Sequence, residues 1–176
     1  MTFTETKLAG AFLIDLDCKE DVRGYFARVF CAEEFRAKGL NPQVAQCSIS
    51  FNRFKGTLRG MHWQAAPKAE AKLIRCTRGA IFDVIVDLRP KSATRLQHIT
   101  TELTEYNGRM LYIPEGLAHG FQSLADDTEV FYQMTEFFTP DCGRGARWND
   151  PAFGIAWPLL DPIMNDRDRT WEDFAA

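Results

Sequence analysis

The feature that most constrains this chain is a succession of short β-patterned segments, evenly spaced and punctuated by turn residues. Residues 11–16, 25–30, 44–51, 73–76, 80–88, 96–103, 110–113 and 130–138 each read as a strand, rich in β-branched and aromatic residues or alternating in polarity. Lys55-Gly56, Arg78-Gly79, Pro90, Asn107-Gly108 and Asp126-Asp127 mark the turns between them. The clearest strand is Ile81-Phe-Asp-Val-Ile-Val-Asp-Leu88, an apolar run interrupted by Asp83 and Asp87. Helical patterning is confined to two places. Residues 32–38 make one or two turns stopped by Gly39; residues 165–174 offer Asn165 as a cap, acidic residues in the first turn, and Trp171 and Phe174 three apart. So many strands with so few helices predict an all-β sandwich or jelly-roll barrel with a few short helices, one of them near the C-terminus.

Length and composition narrow the class. With 176 residues the chain is expected to fold as one domain over residues 1–176, large enough to bury a core without staples. A net charge of −3 gives no support for a nucleic-acid or polybasic membrane partner. No stretch approaches the length of apolar sequence that crosses a membrane, and no secretory signal precedes the first strand. The five cysteines are scattered, without a Cys-x-x-Cys pair, which predicts reduced thiols and a cytoplasmic protein.

Two segments carry the chemistry. Leu58-Arg-Gly-Met-His-Trp-Gln64 and Pro114-Glu-Gly-Leu-Ala-His-Gly-Phe121 each set a histidine beside a glycine turn and a strand-like run. Small β-barrel enzymes of the cupin kind place side chains in the barrel mouth in this way. A metal-binding cupin would want His-x-His followed by a glutamate; here Gln64 takes the second place and Lys72 the place of the carboxylate. An amide is a poor ligand for first-row metals and an ammonium is none, so the expectation is acid–base chemistry without metal or other cofactor. Arg59, His62, Lys72, Arg75 and His119 all fall in or beside β-patterned segments, and burying so many donors is expensive unless an anion or a developing enolate meets them.

These segments, with Lys72 to Arg89, Tyr112 to Phe121 and Arg147-Trp-Asn-Asp-Pro151, resemble the dTDP-4-dehydrorhamnose 3,5-epimerase family, in order and over most of the chain. The resemblance implies a cupin-type jelly-roll homodimer that inverts C3, C5 or both of a nucleotide-linked 4-keto-6-deoxyhexose, most simply dTDP-linked. It implies His62 as the base, oriented by Asp168, with Tyr132 as the acid on the opposite face and Lys72 beside the C4 oxygen, assisted by Arg59 and His119. Arg23, Phe26 and Gln46 would hold the nucleotide, the first two partly from the neighbouring subunit, and Phe138 would line the sugar. Four departures from the family pattern stand near these positions: Arg28, Cys47, Ser48 and Trp63. Two other readings are a metal-dependent cupin using His62, Gln64 and His119, and a catalytically silent module that binds a sugar nucleotide.

Overall fold

The structure is a computed structural model, and it describes residues 1–175; the last residue of the expected domain, Ala176, lies outside them. In chain order the elements are β1 (Thr2–Glu5), β2 (Phe12–Asp15), β3 (Lys19–Asp21), β4 (Gly24–Phe26) and α1 (Ala32–Ala37). Next come β5 (Gln46–Asn52), β6 (Leu58–Gln64), β7 (Lys72–Arg78), β8 (Ala80–Asp87) and β9 (His98–Thr104). The chain ends with β10 (Met110–Ile113), β11 (Leu117–Ser123), β12 (Thr128–Met134), β13 (Gly143–Gly145) and α2 (Asp166–Arg169).

Two antiparallel sheets face one another as a jelly roll. One runs β1-β2-β10-β7-β12-β5, the other β13-β6-β11-β8-β9, and β3 and β4 form a separate hairpin. Strand β8 shows why its sequence is almost continuously apolar. Ile81 and Ile85 point into the core between the sheets, with Ile74, Leu111, Phe121 and Val130. Val84 and Val86 point the other way, into a second layer under Phe153, Trp157 and Phe174. Both faces are covered, so the strand is apolar except where Asp83 and Asp87 have buried partners. The outer face of the larger sheet is closed in turn by α1, whose Phe35 packs edge-on against Phe3 and Tyr112.

The two aspartates that interrupt β8 are both fully buried. Asp87 accepts hydrogen bonds from Arg89 Nε at 2.9 Å, Ser92 Oγ at 2.6 Å and Thr94 Oγ1 at 2.7 Å. Burial would raise its carboxyl, but these donors hold it far below the ordinary aspartate range. It ties down the β8–β9 connection, where Leu96, at φ 64°, closes a turn and the expected strand starts only at His98. Asp83 has a different partner and belongs to the site.

Three further expectations are corrected. Pairing in the expected 25–30 strand stops at Phe26, which forms only the short hairpin with β3. The 130–138 strand ends at Met134, and beyond Thr135 the amides turn to side chains: Phe137 N donates to Glu136 Oε1 at 2.8 Å, Phe138 N to Gln46 Oε1 at 2.9 Å and Thr139 N to Gln64 Oε1 at 2.8 Å. The C-terminal helix covers only Asp166–Arg169, capped as expected by the Asn165 side chain. Beyond it Trp171 seats against Gly145, and Phe174 against Trp63 and Phe153, so tertiary packing overrides the local helical pattern.

Candidate active site

The site lies between the sheets. On the larger sheet, residues two apart or directly paired share a face. The register Met134↔Lys72 and Tyr132↔Ser48, with Gln46 opposite Met134, therefore places Gln46, Ser48, Lys72 and Tyr132 on one inner surface. Cys47 faces the other way and is exposed, so of the two changed residues only Ser48 touches the cavity. The smaller sheet contributes His62, His119, Phe121, Asp83 and Arg59.

Arg59 and His62 are three apart and would face opposite sides of a regular strand. A β-bulge reconciles them: His119 pairs with His62 and Phe121 with Arg59, so three steps on β6 span two on β11. Gly60 and Gly120 lie inside these strands and not in turns beside them. A Cβ on Gly60, whose φ is +133°, would stand 2.6 Å from the Gly120 Cα, so two bare backbones are needed where the strands cross.

His62 has 39% of its side chain open, against 14% for Lys72 and 6% for His119, while its partner Asp168 is 3% open. Nε2 of His62 donates to Asp168 Oδ1 at 2.6 Å; since a carboxylate only accepts, Nε2 carries the hydrogen and Nδ1 the lone pair. Asp168 is held from three sides. Gly60 N donates to its Oδ2 at 3.2 Å, and its own amide donates to the Asn165 cap at 2.7 Å. Burial acts to raise the Asp168 carboxyl, but the His62 and Gly60 hydrogen bonds win and keep it below the ordinary range. The pair is an imidazole with a fixed tautomer and a buried counter-charge.

Tyr132 stands on the opposite sheet, its ring 6.1 Å from that of His119 and nearly perpendicular to it. Burial pushes the phenol well above its usual range, the Asp83 carboxylate adding to the effect and Arg59 opposing it. The hydroxyl therefore keeps its proton throughout the neutral range, as an acid must. His119 donates from Nε2 to Asp83 Oδ2 at 2.8 Å, deep in the wall. Burial raises the Asp83 carboxyl, with His119 and Lys72 pulling the other way.

Arg59 anchors through Nε to Asn52 Oδ1 at 2.8 Å, and Lys72 lies 3.2 Å from Glu70 Oε1. A cavity of about 490 Å³ collects Arg59, His62, Lys72, His119, Tyr132 and Asp168, with Gln46 and Phe138 at its rim. Gln46 has spent its carbonyl oxygen on Phe138 N, leaving its NH₂ for the cavity. The structure does not bring Arg23 or Phe26 there. Both are exposed on the β3–β4 hairpin, with Arg23 Nε bonded to Asp21 Oδ1 at 3.1 Å. Gln64 is turned away from the cavity, its amide nitrogen donating to Lys68 O and Phe137 O, so it offers no metal ligand beside the histidines. Among the described residues no three His, Cys, Asp or Glu side chains stand together as a metal site.

A sequence profile of dTDP-4-dehydrorhamnose 3,5-epimerase matches residues 5–176. A dTDP-4-dehydrorhamnose 3,5-epimerase from Methanothermobacter thermautotrophicus is 41% identical over 173 residues, 97% of this chain and 92% of its own length. The chain belongs to the dTDP-4-dehydrorhamnose 3,5-epimerase family. Among solved structures, the family's enzyme from Bacillus anthracis, with TDP and PPi bound, superposes with a TM-score of 0.95 at 37% identity, covering 98% of this chain and 99% of that one. A 3'-monoepimerase from Streptomyces bikiniensis in complex with dTDP-quinovose gives 0.89 at 31% identity, over 96% and 85% of the two chains.

Asp83, Glu70 and Asn52 are site residues that sequence reasoning missed as such. Asp83 was marked by its place in an apolar strand, which is a signal of a partnered buried charge. Glu70 and Asn52 carry no such mark, since both precede or end strands where polar residues are ordinary. One positioning contact is directly testable. A Cβ on Gly145 would overlap the Trp171 ring, which docks the segment carrying α2 and Asp168. Gly145→Ala is expected to displace that segment and slow proton exchange roughly 10²-fold, the effect of a shift of about 1 Å in a catalytic group. Exchange rates and tryptophan fluorescence, measured together, check it.

Proposed function

We propose that this chain is a metal-free epimerase, working without a cofactor, that inverts C3, C5 or both of a dTDP-linked 4-keto-6-deoxyhexose. The substrate is dTDP-4-dehydro-6-deoxy-D-glucose and the product dTDP-4-dehydro-L-rhamnose or a close relative. The observation that carries the reading is a carboxylate-held imidazole on one sheet facing a proton-bearing phenol on the other across a single cavity. Nδ1 of His62 removes the proton beside the C4 ketone; Asp168 steadies the imidazolium. Lys72 meets the oxygen as it becomes an enolate, and Tyr132 returns a proton from the opposite face.

The nucleotide end accounts for Arg23 and Phe26. In a homodimer the exposed hairpin of one subunit would reach the cavity of the other, with Arg23 toward the diphosphate and Phe26 toward the base. The half-exposed Ile49 and Phe51 on the edge strand β5 are apolar surface such pairing would cover. The working protein is then a single-domain cytoplasmic homodimer, with no nucleic-acid or membrane partner; no helix among the described residues is long and apolar enough to cross a bilayer.

The test is proton NMR of dTDP-4-keto-6-deoxyglucose with this protein in deuterated water. Loss of the C3 and C5 signals with appearance of the L-rhamno product supports the full reading. Loss at C3 alone makes the chain a 3-epimerase. Tight binding with no exchange at either carbon would sink the enzymatic reading in favour of a silent binding module.

A further inference from the structure

We infer that Glu70 is a positioning residue for the epimerisation, acting through Lys72; this rests on the epimerase reading above. Lys72 Nζ and Glu70 Oε1 are 3.2 Å apart, and the two side chains are only 14% and 11% exposed. A pair so enclosed is unlike a surface salt bridge: losing one member would leave a nearly buried charge unmatched.

The backbone beside Glu70 is fixed. Ala71 N donates to Thr135 Oγ1 at 2.8 Å, and Thr135 N donates to Ala71 O at 3.0 Å. The carboxylate therefore has a defined origin, whereas the lysine has a flexible four-carbon stem whose rotamer freedom must be lost for Nζ to stay in one place. At 3.2 Å the carboxylate holds the ammonium as a close ion pair at the wall of the cavity that both residues line. Glu70 also stands where this cavity meets a smaller one of about 210 Å³ beneath Arg144 and Arg167. Without that anchor the flexible side chain no longer holds Nζ toward the developing enolate oxygen.

The substitutions are Glu70→Ala, which removes the acceptor, and Glu70→Gln, which keeps one in place. Deuterium uptake from solvent into the keto sugar is followed at varied substrate concentration, with thermal unfolding of each variant alongside. Glu70→Ala is expected to lower kcat about tenfold or more with KM changed less than about threefold, and Glu70→Gln to restore kcat to within about fivefold of wild type. If Glu70→Ala does not fold, Glu70→Met, which keeps the bulk without a strong acceptor, carries the same comparison. An unchanged kcat, a rise confined to KM, or a Gln variant as impaired as the apolar one overturns the assignment. So does a kcat loss that only follows lowered thermal stability. A wild-type chain that exchanges no proton overturns the epimerase reading and this inference with it, whereas an active wild type isolates the failure to Glu70.

Discussion

His62→Ala is expected to reduce deuterium uptake at the carbon beside the ketone by three orders of magnitude or more, the upper part of the 10²–10⁴-fold range of a positioned general base. The structure gives the loss two components. The imidazole backed by Asp168 disappears, and Asp168 keeps its carboxylate with one donor fewer in a buried place. His119 cannot stand in, because it is 6% exposed and its Nε2 is committed to Asp83. Substrate affinity should change little, since Arg59 and Lys72 remain. The measurement is the NMR exchange assay at saturating substrate, with binding followed separately by calorimetry. Near-normal exchange in the variant would remove His62 from its role.

Tyr132→Phe should separate two events that the wild type performs together. Enolisation needs only the base and the cation beside the oxygen, so solvent exchange is expected to persist at a measurable fraction of the wild-type rate. Inversion needs a proton from the other face, and formation of the inverted product is expected to fall by about 10²-fold. The buried phenol, held above its usual range, is the proton-bearing group on that side of the cavity. The substitution removes one oxygen from a ring that packs against the core, so the fold should tolerate it. Product stereochemistry by NMR, set against exchange in the same sample, is the check. Equal loss of both would mean that Tyr132 also binds the ground state or positions the sugar, and inversion at the wild-type rate would assign the acid elsewhere.

These two residues also show how far local pattern reaches. Tyr132 sits in an alternating strand, and period-two alternation is enough to say that it shares a face with Val130 and Met134. Alternation does not say whether that face meets solvent, core or cavity, since this depends on which strand lies opposite. For Tyr132 the answer comes from the facing sheet, whose His119 ring stands 6.1 Å away. The Asp168–His62 contact spans 106 residues, and the family resemblance rather than spacing pointed to it.

Residue type and order alone carried the all-β class, the two histidines set near glycines and the lack of a metal-ligand pattern, and the resemblance pointed to His62 and Tyr132 as the proposed proton-transfer pair. Those depend on residue type and order, which folding does not alter. Tertiary structure alone decided that Arg59 and His62 face the same cavity, because a one-residue bulge against β11 reverses the parity a regular strand would impose. It also decided that Lys72 is held by Glu70, that Asp83 is the buried partner of His119, and that Trp171 leaves the helix for Gly145. In the same way it set Arg23 and Phe26 on a hairpin outside the cavity. Each of these turns on which backbone comes to lie beside which. In a sandwich that is settled by pairing between distant strands and by the space their side chains leave, neither of which a local window contains.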